Sequence, residues 1–495
     1  MADAPFELQE VTVAELARRM QEGEVTARAL TDAYLDRIDA LDRDGPQLRS
    51  VIATNPTAQA AAEELDRERQ QGHVRGPLQG IPILVKDNID ISGPMGTSAG
   101  SLALREARPS SDAPLVRRLL DAGVVILGKA NLSEWANFRS TRSSSGWSAM
   151  GGQCRNPYVL DRNPCGSSSG SAVAVSADLC VVAVGTETDG SIMCPASIDG
   201  IVGIKPTVGL VRGDGIVPIS HTQDTAGPMA RTVADAFELL SAMAEAAPGR
   251  GLASDRPSPL DPKALRSARI GVARNLAGFH DRVDALFEQA LSALRDLGAE
   301  LVDAADVPHA TELEEPELDV LLYEFKADLE TYLTGVDGDV PRTLEGLIAF
   351  NRAHADEELA FFGQELFEKA AAKGPLTEPA YLEALSTCGR LARDEGLDAA
   401  FTAHGVDAIV APTGAPAWLT DHVNGDHYVG GNTTPAAVAG YPSVTVPMGF
   451  VSELPVGLSF IGHPWTEATL AGYAYAFEQA TTERRPPRYL PTSEA

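Results

Sequence analysis

An α/β fold is what the sequence predicts, on three observations. Short runs rich in Val, Ile and Leu, at residues 81–85, 123–128 and 179–184, have the unbroken hydrophobicity of strands covered on both faces. Segments of helical periodicity lie between such runs. The texture from about residue 72 to 247 is rich in Gly, Ser and Pro, which supplies short connections. The 495 residues, 44% hydrophobic and 22% charged, allow a large buried core and exclude a largely disordered chain.

Residues 1–70 read as an N-terminal helical segment packed on the outside of a domain spanning 71–495. Thr12 and Glu15 have capping-box spacing. After Thr26, the residues Leu30, Tyr34, Ile38 and Leu41 recur one helical turn apart. Residues 72–247 form the predicted core, and 248–262 a polar, Pro-rich linker. Residues 269–273, a helix through Leu297, and 300–302 read as a β-α-β unit. Residues 310–400 are helical and acidic, and their Glu/Asp runs are most simply solvated faces. Residues 401–495 return to strand and loop texture, with strands at 408–412 and 442–447.

The net charge of −29 repels phosphate, which makes nucleic acid and anionic membrane poor partners. No apolar run approaches the roughly 18 residues of a membrane span. If Met1 is the natural start, its acidic sequence without an apolar stretch predicts a cytoplasmic protein. The five cysteines, Cys154, Cys165, Cys180, Cys194 and Cys388, are too sparse for a disulfide framework. No CxxC or HExxH occurs, so no metal is expected.

The chemistry concentrates in Pro164-Cys165-Gly166-Ser167-Ser168-Ser169-Gly170-Ser171 and, beyond a helix and a strand, Gly185-Thr186-Glu187-Thr188-Asp189-Gly190-Ser191-Ile192. A phosphate loop would need a Gly-Lys-Ser/Thr ending, which is missing. Gly166 to Gly170 matches GxSxG, with Ser168 central. That elbow needs a strand running into it, and residues 155–164 are a loop with two prolines. The third reading joins Lys86, after the apolar run 80–85, to the serine run and to Ser191, 24 residues beyond Ser167.

These pieces resemble the amidase signature family, with its GIPxxxKD, GGSSGGS-like, GTDTGGS-like and GxKPT segments in this order. Gly203-Ile204-Lys205-Pro206-Thr207 matches the last, and Asp224 with residues 227–233 matches a further stretch. Within the family, residues 131–139, 145–149 and 165–171 are most similar to peptide amidases, which remove ammonia from C-terminal carboxamides. The resemblance implies a single large α/β/α sandwich around a twisted mixed sheet of about ten strands. It implies amide hydrolysis through an acyl-enzyme, without cofactor or metal, by a monomer or homodimer acting on a small-molecule or peptide amide. Aryl acylamidase or carbamate hydrolase activity, or a role as one component of a tRNA-dependent amidotransferase, are the alternatives.

Amide hydrolysis needs a nucleophile, a base and an oxyanion site. No histidine motif supplies the base. A lysine serves if burial disfavours its charged form. By position alone Lys86 is as readily a surface lysine at a strand end; the match of residues 80–87 to the family makes it the candidate base. The resemblance further implies that Ser191 attacks the carbonyl. Ser167 then relays the proton from a cis peptide that Gly166 eases. The backbone N–H groups of the turn Thr188, Asp189, Gly190 and Ser191 are expected to receive the oxyanion. Asp189 stands where many members have glycine, and its carboxylate either hydrogen-bonds within the turn or biases the site against anionic substrates. Ser168 is expected to support the backbone or hydrogen-bond Ser191, and Ser171 to cap the following helix. Ser143, Ser144 and Ser145 read as loop beside the substrate mouth. Cys165 and Cys194 read as packing. His221, His422 and His427, in polar loops, are solvated or touch substrate. Relatives that handle acidic substrates carry an arginine just after the nucleophile. Here Ile192, Met193 and Cys194 follow, which implies a neutral, partly apolar substrate end.

Overall fold

The computed structural model describes residues 7–245 and 260–493. The linker predicted at 248–262 lies outside the described residues except for its last three. Eleven strands form one mixed sheet. In chain order they are β1 (Val51–Thr54), β2 (Pro82–Lys86), β3 (Val125–Ala130), β4 (Val182–Glu187), β5 (Val202–Lys205), β6 (Thr225–Ala230), β7 (Arg269–Val272), β8 (Glu300–Val302), β9 (Ala408–Pro412), β10 (Ser443–Val451) and β11 (Leu454–Gly462). The order across the sheet is β1-β3-β2-β4-β6-β5-β10-β11-β9-β7-β8.

Every residue of β2, β3 and β4 is buried, as their continuous apolar composition requires of strands covered on both sides. The two faces are visible within β9. Ala408 and Val410 join the main core cluster, whereas Ile409 and Ala411 join a second one. Successive side chains of a strand point to opposite faces, so a core lies on each side of the sheet. The helix Asp281–Asp296 contributes Val283, Phe287 and Leu291 to the first cluster; Tyr323, from the helix Glu314–Thr334, belongs to the second. This is the α/β/α sandwich expected, with eleven strands where about ten were predicted.

Three local expectations differ. Residues 1–70 are not all helical, because β1 pairs antiparallel with β3 and closes one edge of the sheet. β6 escapes a pattern-based reading because its sequence, TAGPMA, holds a glycine and a proline. The acidic segment is not simply solvated. Glu317, Glu324 and Glu358 are buried, and Glu324 accepts hydrogen bonds from Tyr381 at 2.7 Å and Thr222 Oγ1 at 3.0 Å. Glu358 meets the fully buried Arg139, whose guanidinium also pairs with Glu134 and lies 4.3 Å over the Phe362 ring. This cluster joins the helical layer to the segment that follows β3.

Candidate active site

β2 and β4 run parallel as neighbours, with Val85 opposite Val184, so their carboxyl ends share one edge of the sheet. That edge is where open α/β sheets present their ligand sites. Lys86 ends β2 and is fully buried. Its Nζ lies 2.7 Å from Ser167 Oγ, 2.8 Å from Thr186 Oγ1 and 3.2 Å from the Thr186 carbonyl, Thr186 being on β4. No carboxylate is within ion-pair distance of it among the described residues. Burial pushes the Lys86 ammonium down from 10.5 to about 7, with Asp224 and Glu187 pulling weakly the other way. A neutral amine has two N–H donors and one lone pair. All three partners are oxygens that accept from Lys86 Nζ; in the neutral amine its lone pair would instead accept from Ser167 O–H.

Two further buried lysines on strands show what sets Lys86 apart, and sequence reading did not single them out. Lys129, on β3, is 3.4 Å from Asp87. Lys205, ending β5, is held near 8 by burial against the pull of Glu187 and Glu467. Lys129 faces a carboxylate, whereas Lys86 faces hydroxyls.

Ser167 follows a cis peptide bond from Gly166. Its carbonyl accepts from Ser133 N–H at 3.0 Å. A Cβ at position 166 would lie 2.0 Å from Ser133 Oγ, so only glycine fits there. The helix Ser169–Ser176 begins just beyond and packs over β2 and β4.

Ser191 lies in the turn after β4. Its carbonyl accepts from Ser168 N–H at 3.1 Å, which joins the two chain segments directly. The N–H groups of Asp189, Gly190 and Ser191 make no hydrogen bond to another described residue. Gly190 has φ +76°, the left-handed conformation that lets the turn present these groups. Below it, Glu187 accepts from Ile192 N–H at 2.7 Å and Met193 N–H at 2.9 Å, which fixes the start of the helix Met193–Ile198. Thr188 donates to Asp224 at 2.6 Å.

Of the supporting residues, Ser168 Oγ donates to the Thr186 carbonyl at 3.0 Å and accepts from Thr186 N–H at 3.2 Å, so it serves the backbone. Ser171 does not cap the helix. It sits inside it and donates to the Val184 carbonyl at 3.0 Å, because the helix already starts at Ser169. Asp189 does not bond within its turn either. It accepts from Thr433 Oγ1 at 2.6 Å and Thr434 Oγ1 at 2.7 Å, tying the turn to a distant segment that no local pattern reveals. Cys165 and Cys194 are not merely packed: they form a disulfide that links the segment before Ser167 to the helix after Ser191. Their spacing of 29 residues carries no signal, and only the fold brings them together.

A cleft of about 580 Å³ opens here, reaching Gly166 and Gly190. Ser143 and Ser145 line it, as expected of a loop beside the mouth. His221, His422 and His427 do not line it. His221 pairs with Asp328 at 2.8 Å elsewhere, and His422 stacks on Phe361 at 4.0 Å. The far wall comes from residues 418–434, including Trp418, Asp426 and Tyr428.

The sequence pattern of the Amidase family matches residues 29–471. The chain belongs to the amidase family. This amidase is 54% identical to the peptide amidase from Stenotrophomonas maltophilia, whose structure superposes with a TM-score of 0.92 over 98% of this chain and 100% of that one. It is 38% identical to a probable amidase of Arabidopsis thaliana, over 98% of this chain and 93% of the relative. It is 34% identical to a glutamyl-tRNA(Gln) amidotransferase chain of Moorella thermoacetica, over 97% of this chain and 98% of that one. It is an amide-hydrolysing enzyme with the fold of that family.

Proposed function

We propose that this amidase hydrolyses C-terminal carboxamides of peptides or amino-acid amides to the acid and ammonia, with Ser191, Ser167 and Lys86 as its catalytic residues. The observation that carries the mechanism is the buried, carboxylate-free Lys86 hydrogen-bonded to Ser167. The peptide amidase, at 54% identity over nearly the whole chain, supports the substrate class. The absence of a cation after Ser191 agrees with a neutral amide end.

In this reading neutral Lys86 accepts the proton of Ser167, and Ser167 accepts that of Ser191 as its oxygen attacks the carbonyl carbon. The carbonyl π pair moves to oxygen. The uncommitted N–H groups of Asp189, Gly190 and Ser191 stabilise that charge without reorganising. Ser167 then delivers a proton to the departing nitrogen, Lys86 reprotonates Ser167, and ammonia leaves an acyl-Ser191. Water enters by the same proton path, releases the acid and restores Ser191.

The test is ammonia release from a dipeptide C-terminal amide by wild type and Ser191→Ala, with an anilide and an internal peptide bond alongside. We expect turnover of the dipeptide amide, reduced about 10⁴-fold or more in the variant. Aniline release with a silent dipeptide amide would move the assignment to aryl amides. No turnover of any substrate would favour a component of an amidotransferase that works only with its partners.

A further inference from the structure

The cleft beside Ser191 bears carboxylates and no lysine or arginine among its described lining residues. Two carboxylates open on it, and they differ. Asp189 accepts a short hydroxyl hydrogen bond on each oxygen, from Thr433 at 2.6 Å and Thr434 at 2.7 Å. Asp426 accepts from Ser145 N–H at 2.8 Å and, weakly, from Asn163 Nδ2 at 3.3 Å. Among the described residues no ion pair reaches Asp426. The charged side chain that acts on it is His422, and burial disfavours the charged form of that imidazole. An anion largely withdrawn from water without a counter-ion is costly, and a ligand cation that enters the cleft relieves that cost. The cleft wall mixes the aromatic rings of Trp418 and Tyr428 with polar side chains such as Asn137, Thr141 and Ser143. Trp418 and Tyr428 line the cleft, and Leu419, Val423 and Val429 stand exposed on the same segment. A carboxylate beside the aromatic rings of Trp418 and Tyr428 suits an organic cation.

We propose that Asp426 is a specificity-determining residue, receiving an alkylammonium or guanidinium group of the substrate while Ser191 engages its carboxamide. The proposal rests on the carboxamide-hydrolase reading above. Such a cation comes from two places, a basic side chain or a free α-amino group.

Three amides separate them: acetyl-alanyl-lysine amide, acetyl-alanyl-norleucine amide and alanyl-norleucine amide. We expect kcat/KM for at least one cationic amide to exceed that of the neutral acetyl-alanyl-norleucine amide by about tenfold, mostly through KM. Preference for the lysine amide assigns the site to the side chain. Preference for the unacetylated norleucine amide assigns it to the α-amino group. In Asp426→Asn the cationic-to-neutral ratio is expected to fall to about one, and Asp426→Glu to keep part of it. Asp426→Ser reads the same ratio should the asparagine variant fail to fold. Equal rates on all three amides in the wild type, or a ratio unchanged in the neutral variants, would overturn the proposal. Failure to release ammonia from any amide would instead overturn the carboxamide reading on which it stands.

Discussion

Lys86 acts through the same property that makes it costly to bury. Folding lowers its ammonium from 10.5 to about 7, chiefly by removing it from water. As base it must be neutral, so kcat/KM is expected to rise about tenfold per pH unit below about 7 and level off above it. Stability carries the same signature. Between pH 7 and 10.5 the unfolded chain holds a proton on Lys86 that the folded chain does not, so this group's contribution to stability rises with pH across that window. Relative to Lys86→Met, the wild type should gain at most about 5 kcal/mol from pH 7 to 10.5, and nothing further above it. Urea midpoints of the two proteins against pH read the difference directly. A gain that runs in the opposite direction would mean that Lys86 remains charged. Losses of activity in Lys86→Met without this pH-linked difference would point to a structural role instead.

At the scale of elements, the site is two segments joined three ways. Ser168 N–H donates to the Ser191 carbonyl, Lys86 on β2 bridges Ser167 to Thr186 on β4, and the Cys165–Cys194 disulfide closes the outer side. The bridge has a chemical consequence that can be counted. Unfolded without reductant, the chain should present the three thiols of Cys154, Cys180 and Cys388 to a thiol reagent, and all five after reduction. Closure of a 29-residue separation is worth about 3–4 kcal/mol in the chain-entropy description, so reduction should lower the unfolding midpoint by a corresponding amount. Five reactive thiols before reduction would dismiss the bridge.

Over the whole molecule, the helical layer that begins at Glu314 is locked by buried charge to the segments that follow β2 and β3. Arg139 pairs with Glu134 from its own segment and with Glu358 from the helical layer, and Glu358 also accepts from Leu102 N–H at 2.6 Å and Ser101 Oγ at 3.0 Å. Removing the cation leaves two carboxylates buried without a counter-charge. Arg139→Leu is expected to cost about 3–5 kcal/mol in denaturant unfolding, against about 1 kcal/mol or less for an exposed pair such as Arg390–Glu395. Equal costs at the two positions would show that the cluster does not join the layers.

What the sequence by itself determined was local or strictly ordered along the chain. The apolar runs at 81–85 and 179–184 became the parallel strands β2 and β4, which end at Lys86 and Glu187, because continuous hydrophobicity is what a doubly covered strand needs. The serine run, the glycine-bearing turn and Lys86 were legible because their residue types and separations are carried in one order. What only the tertiary structure decided was pairing across long separations. Asp189 with Thr433 and Thr434, Arg139 with Glu358, Cys165 with Cys194, and the contrast between Lys86 among hydroxyls and Lys129 beside Asp87 have no local signature. The energy of a buried charge or polar group depends on which partners surround it in space, and a one-dimensional pattern records only which neighbours it has along the chain.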